Sequence, residues 1–427
     1  MGRVSEIRDD SADSSAHPRR FGVLRSWKTA PYLVGSGLAM MGDNIEHVIT
    51  YWVLWQKFES PALVGFQLIS HWLPFLLLSV YAGSLAERFD CRRLIQIGQG
   101  LFMFVSLCWG ILFLTDLLQL WQACVLLVIH GLAGCLWGPA EQMMLYDFAG
   151  RSELPSAVRI NATFRSLGIL FGPVVGSVLL LSFGPTWGIF INIIFYLPLT
   201  IFLMRTPFTG HTRSGSPNKT RTTLVQSLWV LVDVRHNRSI ISMLLLAALA
   251  SITIGAVLQT AMPVFGGLLT GPGGDSDFTY GLLLFALGAG GVLGGFFLEA
   301  TGWVRPTPAA AAVAAAGLGA SSIVFAFTSH LWLALIVLVL AGVCKITAES
   351  TEMAIIQLEA PTEIRGRVIG SYSMFGPGMQ TFSGVTVGVL GTIATIPQAV
   401  TIGGSVLAIG AIGIGAYVLA GRGRRVG

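Results

Sequence analysis

Residues 61–93 read PALVGFQLISHWLPFLLLSVYAGSLAERFDCRR. From residue 61 to residue 85 the stretch holds no Asp, Glu, Lys or Arg; then Glu87, Arg88, Asp90, Arg92 and Arg93 crowd together. A hydrocarbon layer about 30 Å thick takes about 20 apolar residues to cross as a helix. Backbone N–H and C=O groups find no water there, so a crossing segment must satisfy them within itself, as a helix does. The stretch therefore reads as one transmembrane helix followed by a charged loop beside the membrane.

The pattern repeats in both directions. Spans are expected at 31–55, 61–85, 93–115, 119–146, 156–181, 185–204, 239–262, 279–300, 305–328, 331–355, 366–390 and 397–420. The composition agrees, with 53% hydrophobic and 11% charged residues and a mean hydropathy of +0.73. The 52 glycines suit helices that must approach closely where lipid offers no hydrophobic drive between them. The expected fold class is an all-α membrane protein of twelve transmembrane helices. Cys91, Cys108, Cys124, Cys135 and Cys344 show no metal-type spacing and read as packing residues. The first twenty residues lack an apolar core, so no cleaved signal peptide is expected, and Glu6 stands at the Ser/Thr position of the myristoylation motif.

An even number of spans puts both termini on one side. Of the 26 Lys and Arg, all but Lys57, Arg165 and Lys345 then fall on that side, which marks it as cytoplasmic. The net charge of +5 is thus a topology signal. A nucleic-acid partner is not expected, since such binders gather their basic residues on a soluble face. The polar segment 205–238 divides the chain: tail 1–30, six-helix bundle 31–204, linker 205–238, six-helix bundle 239–421, basic tail 422–427. The linker ends in LVQSLWVLVDVRHN, a candidate amphipathic helix for the membrane surface. RSELPSAVRINATFRSLGILFGP from Arg151 aligns without gaps on PTEIRGRVIGSYSMFGPGMQTFS from Pro361, pairing Glu153 with Glu363 and Val158 with Val368. Each segment joins the fourth span of its half to the fifth, so the two halves read as parallel repeats related by a pseudo-two-fold axis, as in transporters.

Two motifs carry a family resemblance. Gly83-Ser-Leu-Ala-Glu87-Arg88-Phe-Asp90-Cys-Arg92-Arg93 resembles the cytoplasmic loop signature of the major facilitator superfamily, G-x-x-x-D-R-x-x-R-R in outline, with Glu87 for the usual Asp and Cys91 where a base is common. A carboxylate there can bond the positive end of a facing helix, and the arginines can pair with acids such as Asp147. The resemblance implies a latch between the halves; read on its own, the segment is a basic loop obeying the positive-inside rule. In the fifth span, Gly168-x-x-x-Gly172-Pro173-x-x-Gly176 is similar to the antiporter motif of the superfamily's exporters, with Ser177 for the second Gly. Generic glycine packing and a proline kink are the plainer reading. Nearly the whole chain resembles the twelve-helix drug-exporter branch that includes the enterobactin exporters. That resemblance implies two bundles around a cavity that opens alternately to each side, in the inner membrane of a bacterium.

Ionisable groups at bilayer depth are costly and usually face a partner or a cavity. The first span holds Asp43, Glu46 and His47 on one helical face. The second holds His71, the fourth His130 and Glu141, the fifth Arg165, and the tenth Lys345, Glu349 and Glu352 at i, i+4, i+7. Burial favours the neutral form of a carboxyl group. Asp43, Glu46, His47 and Glu141 are therefore candidates for proton coupling, and Arg165, Lys345, Glu349, His71 and His130 for substrate or counter-ion roles. The alternatives are structural: Asp43 bonded to backbone or to Arg165, Lys345 and Glu349 neutralising each other, and Glu141 and Glu352 solvated near the cytoplasmic boundary. Asp43 and His47 at i, i+4 also resemble the Asp/His pair with which ferroportin-type members hold divalent iron, a half-site for a transition metal.

The expected function is proton-coupled export of a small molecule such as a drug, siderophore or metabolite. Its partners would be that molecule, protons and the lipid bilayer, with a monomer as the default state. An importer of a nutrient or metallophore, or a divalent-metal or metal-chelate carrier, is the alternative on the same fold. No phosphate-binding loop with its Lys is present, so neither an ATPase nor a cofactor is expected. An enzyme is not expected either, since no Ser-His-Asp or HExxH pattern appears.

Overall fold

The computed structural model describes residues 20–213, 221–255, 257–270, 274–382 and 395–423. The expected N-terminal tail as far as residue 19, linker residues 214–220, the end of the eleventh span at 383–390 with the following 391–394, and residues 424–427 of the basic tail lie outside the described residues. Every regular element among the described residues is helical. Among the described residues, eight helical stretches are long and apolar enough to cross a membrane. One of them, Leu120–Arg205, takes in the fourth, fifth and sixth expected spans.

Local sequence sets the ends of these helices. The first span runs Ala30–Phe58 and stops at Glu59, which adopts a left-handed conformation and donates its N–H to Trp55 O. The second, Pro61–Arg88, starts on Ser60, whose hydroxyl accepts from Leu63 N. The third, Cys91–Thr115, starts on Asp90, whose carboxylate accepts from Arg92 N. Asp90 of the loop signature is thus a helix N-cap, a position that favours Asp because its oxygen satisfies an otherwise orphaned backbone donor. The loops expected around 147–155 and 182–184 shrink to single breaks in one helical stretch, Leu120–Asn192, at Gly150 (φ 71°) and Gly184 (φ 74°). Both glycines adopt positive φ, where a side chain is strained. Pro155 and Pro185 follow them into the next helix, where a missing N–H costs little.

The chain forms two compact units. Unit 1 comprises residues 1–232 together with 360–371, so its boundary falls inside the expected linker and it takes in the segment after the tenth span. Within it the fifth span lies hard against the first. A Cβ at Gly168 would come within 2.6 Å of Gly37 O, and one at Gly172 within 2.5 Å of Asn44 Cβ. Gly176 faces Ile45 and Val48, whereas Pro173 is exposed. The glycines of the exporter-like motif therefore seat the helix that carries Asp43, Glu46 and His47. Trp109, Ile45, Ile49, Leu54, Val105 and Ile189 form an apolar core where the first, third and sixth spans meet.

Unit 2 comprises residues 233–359 and 372–427. Its seventh span is built from Arg238–Ala250, a π turn Ser251–Gly255 and Val257–Leu269. The twelfth span, Ile396–Gly423, approaches that turn closely, and a Cβ on Gly403 would lie 2.5 Å from Thr253 O. In the linker, Leu224–Leu228 and Val230–Asp233 are short helices that leave Val225 and Trp229 exposed.

Candidate functional site

Two polar clusters lie inside unit 1, built from spans that are otherwise apolar. The first centres on His130 of the fourth span. Its Nε2 lies 2.8 Å from Asp43 Oδ1 and its Nδ1 lies 2.9 Å from Glu46 Oε1. All three residues are buried. The first span supplies both carboxylates because residues three apart share a helical face. Ser106 of the third span donates its hydroxyl to Glu46 Oε2, and Asn192 Nδ2 lies 3.4 Å from that hydroxyl. Every buried oxygen of Glu46 is thus matched, as a low-dielectric interior demands.

His47 and His71 complete this cluster. The His47 ring centroid lies 4.8 Å from that of His71 and 5.0 Å from that of His130. His47 Nδ1 stands 3.9 Å from Asp43 Oδ2, too far for a hydrogen bond. His71 Nδ1 is buried and without a hydrogen-bond partner. One ligand nitrogen from each of the three rings falls within a set no more than 4.8 Å apart. Phe102, Tyr51 and Trp72 pack their rings around the imidazoles.

The second cluster joins the fourth and fifth spans. Arg165 Nη1 bonds Glu141 Oε2 at 2.7 Å. Ser36 donates to Glu141 Oε1, Asn161 Nδ2 lies 3.5 Å from the same oxygen, and Tyr32 donates its hydroxyl to Glu141 O at 2.8 Å. The Glu141 side chain is 1% exposed and that of Arg165 is 32% exposed. The guanidinium also lies over the Trp137 ring, 5.2 Å from its centroid, where the ring quadrupole attracts it. Asp43 therefore bonds His130 and not Arg165, and Glu141 is buried rather than solvated at the boundary.

The loop signature divides its residues among several tasks. Glu87 accepts from Arg367 N at 2.7 Å and pairs with Arg367 Nε at 3.0 Å. It so meets the positive end of the helix Arg365–Phe375, and Gly83 lies directly against Gly366. Arg92 pairs with Asp90 at 2.6 Å and donates to Thr206 O. Arg93 bonds Gln96, and Arg88 lies over the ring of Phe89. Asp147 is taken up by the chain after the sixth span, accepting from the backbone N–H of Gly210, Thr212 and Arg213. The charge of Asp147 also acts on Arg92 of the signature, whose direct carboxylate bonds go to Asp90; three converging backbone donors satisfy a buried carboxylate at less entropic cost than a long side chain.

In unit 2, Lys345 Nζ stands 3.9 Å from Glu349 Oε1, with both side chains more than a third exposed. Glu352 is buried and accepts from the Tyr372 hydroxyl at 3.1 Å. The tenth span therefore does not bring its three charges to one partner. Lys57, expected on the side away from most basic residues, bonds Asp116 at 2.6 Å and holds that exposed carboxyl below its usual range.

The expected candidates omit Ser36, Tyr32, Ser106, Asn161, Asn192 and Trp137. Their sequence signal is weak, a lone small or polar residue within an apolar run. Only the packing of one span on another shows that they gather around Glu46 and around the pair of Glu141 and Arg165.

Among solved structures, a major facilitator superfamily transporter, FucP, captured in the outward conformation has a TM-score of 0.72 at 14% identity, covering 91% of this chain and 97% of that one. A human organic anion transporter gives a TM-score of 0.72 at 12% identity, covering 90% and 99%. A proton:xylose symporter gives 0.69 at 16% identity, covering 91% and 95%. At such identities the likeness concerns the fold. In sequence, an uncharacterized MFS-type transporter of Bacillus subtilis is 26% identical over 185 residues, 40% of this chain and 43% of that protein. A staphyloferrin A transporter of Staphylococcus aureus is 21% identical over 187 residues, 42% and 47% respectively. The matched stretch spans less than half the length of either relative. A family model described as transmembrane secretion effector matches residues 20–420. The chain belongs to that family, and with the twelve-helix, two-half fold of its structural neighbours it is a transporter of the major facilitator superfamily.

Proposed function

We propose that this transporter uses inward proton flow to drive a small molecule out of the cell. The observation that carries this reading is the ion pair between the buried Glu141 and the half-buried Arg165. An ion pair sunk in a membrane-spanning bundle is weak evidence for stability, because desolvation offsets most of the attraction. Its persistence fits a switch. When Glu141 takes up a proton its bond to Arg165 weakens, the guanidinium is freed, and the preference between two conformations changes. Substrate shifts the same equilibrium through its own differential affinity. Glu87 and Arg367 would form the tie that has to break in that exchange.

Several findings support export by proton exchange. The family description names secretion. Proton symporters stand among the structural neighbours, which favours a proton as the coupling ion and leaves the direction to the other two observations. Gly168, Gly172 and Gly176, the exporter-like motif, hold the fifth span, and so Arg165, against the first. Transport in the opposite direction, or of a metal or metal chelate, remains the competing assignment on this fold.

The test is expression in a bacterial strain deleted for its own efflux pumps, with a panel of dyes, drugs, siderophores and metal chelates. We expect at least one compound to accumulate less in expressing cells, and a protonophore to restore its level. Glu141→Gln should behave like the empty vector while reaching the membrane in equal amount. Higher accumulation in expressing cells would identify an importer, and efflux indifferent to the protonophore would remove the proton.

A further inference from the structure

We propose that His47, His71 and His130, assisted by Asp43 and Glu46, form a binding site for one divalent transition-metal ion inside unit 1. The inference goes beyond the transport reading and does not depend on its direction or driving force.

The donor set is the first argument. Three imidazoles from three different spans bring ligand nitrogens within 4.8 Å of one another. Zinc-class ions bind imidazole at about 2.0–2.1 Å, which places neighbouring ligand atoms of a tetrahedron about 3.3 Å apart. The widest pair has to close by about 1.5 Å, shared between two side chains that can turn about their own bonds. Imidazole suits zinc, cobalt, nickel and iron ions and is a poor ligand for magnesium or calcium.

The surroundings are the second argument. His71 Nδ1 is a buried ring nitrogen with no partner, and a buried polar atom left unpaired is costly. A metal ion would satisfy it. Glu46 Oε1 faces His130 Nδ1 and is steadied by Ser106. This is the outer-shell carboxylate that fixes a ligating histidine and turns its other nitrogen to the metal. That nitrogen, Nε2, faces Asp43 Oδ1 at 2.8 Å. An ion entering between them takes the place of a proton and gains Asp43 as a fourth donor. The two carboxylates balance its charge of two. The His47 side chain keeps 21% of its surface exposed, so the cluster can be approached from that side. Structural packing accounts for the bond between His130 and its carboxylates and for the seat of the His71 ring against Trp72, but it leaves the buried Nδ1 of His71 without a partner.

The experiment uses the full chain, purified in detergent through a tag without histidine and stripped with a chelator. Titration with Co²⁺ should give one ion per chain and the visible ligand-field absorption of a four-coordinate site, which Zn²⁺ then displaces. His71→Ala should weaken binding at least about 100-fold, and Glu46→Gln about 10- to 100-fold, the usual range for an outer-shell partner. X-ray absorption of the zinc-loaded wild type should show imidazole scattering from three rings, a readout that needs no variant. The proposal is overturned if the folded wild type binds no Co²⁺. It is equally overturned if the bound ion shows no imidazole scattering, or if a well-folded variant with His47, His71 and His130 all changed to Ala binds as the wild type does.

Discussion

Glu141 and Arg165 illustrate how a buried charge is tolerated at the scale of one residue. Both oxygens of the carboxylate meet donors, Oε1 from Ser36 and Asn161 and Oε2 from Arg165, while the guanidinium rests on Trp137. Arg165→Gln should lower stability by about 1.5–3 kcal/mol, the range for hydrogen bonds to charged groups, because Glu141 is left buried without its counter-charge. Adding Glu141→Gln to that variant should restore part of the loss, and thermal unfolding of the single and double variants measures the coupling. If the double variant is as unstable as the sum of the singles, the pair does not act as a unit. Asp147 makes a second case. Asp147→Ala strands the backbone N–H groups of Gly210, Thr212 and Arg213, and an unsatisfied buried donor costs about 1–3 kcal/mol. Limited proteolysis should then cut within 206–213 much faster than in the wild type; unchanged cleavage would show that the segment is held by other contacts.

At the scale of the helix, glycine placement decides which spans can touch. Gly168 and Gly172 bring the fifth span into contact with Gly37, Met41 and Asn44. Gly172→Val would push these two helices apart, with an overpacking cost of about 1–3 kcal/mol, and should lower the melting temperature and abolish transport together. Pro173→Ala, on the exposed side of the same helix, should do much less; equal damage from both would mean that the kink matters more than the contact. The spans themselves were legible in the sequence, since length, hydropathy and the bias of Lys and Arg all report on lipid. The face shared by Asp43, Glu46 and His47 was legible too, since it needs only the helical repeat. The meeting of that face with His130 and His71 was not. Nothing in a hydrophobic pattern says which side of the fourth span turns toward the first, because lipid-facing and helix-facing residues are alike apolar. Asp90 of the loop signature serves in addition as a helix cap, a role its place just before an apolar run allows.

At the scale of the whole molecule, the match over residues 20–420 and the fold of the neighbours make this chain a transporter, while its substrate rests on chemistry that sequence resemblance does not supply. The bias of the basic residues proposes that both ends are cytoplasmic, and reporter fusions at either end should then be active only in the cytoplasm; activity of either one outside would break the charge argument. The central claim concerns energy. Everted membrane vesicles expose the cytoplasmic face to the medium, and an acid lumen then mimics the outside of the cell. With the compound that most stabilises the purified protein against heat, wild-type vesicles should accumulate it against its gradient when the lumen is made acid and stop when the pH difference is collapsed, while Glu141→Gln vesicles should exchange it without accumulation. Uphill accumulation that survives the collapse of the gradient, or that is undiminished in Glu141→Gln, would contradict the account.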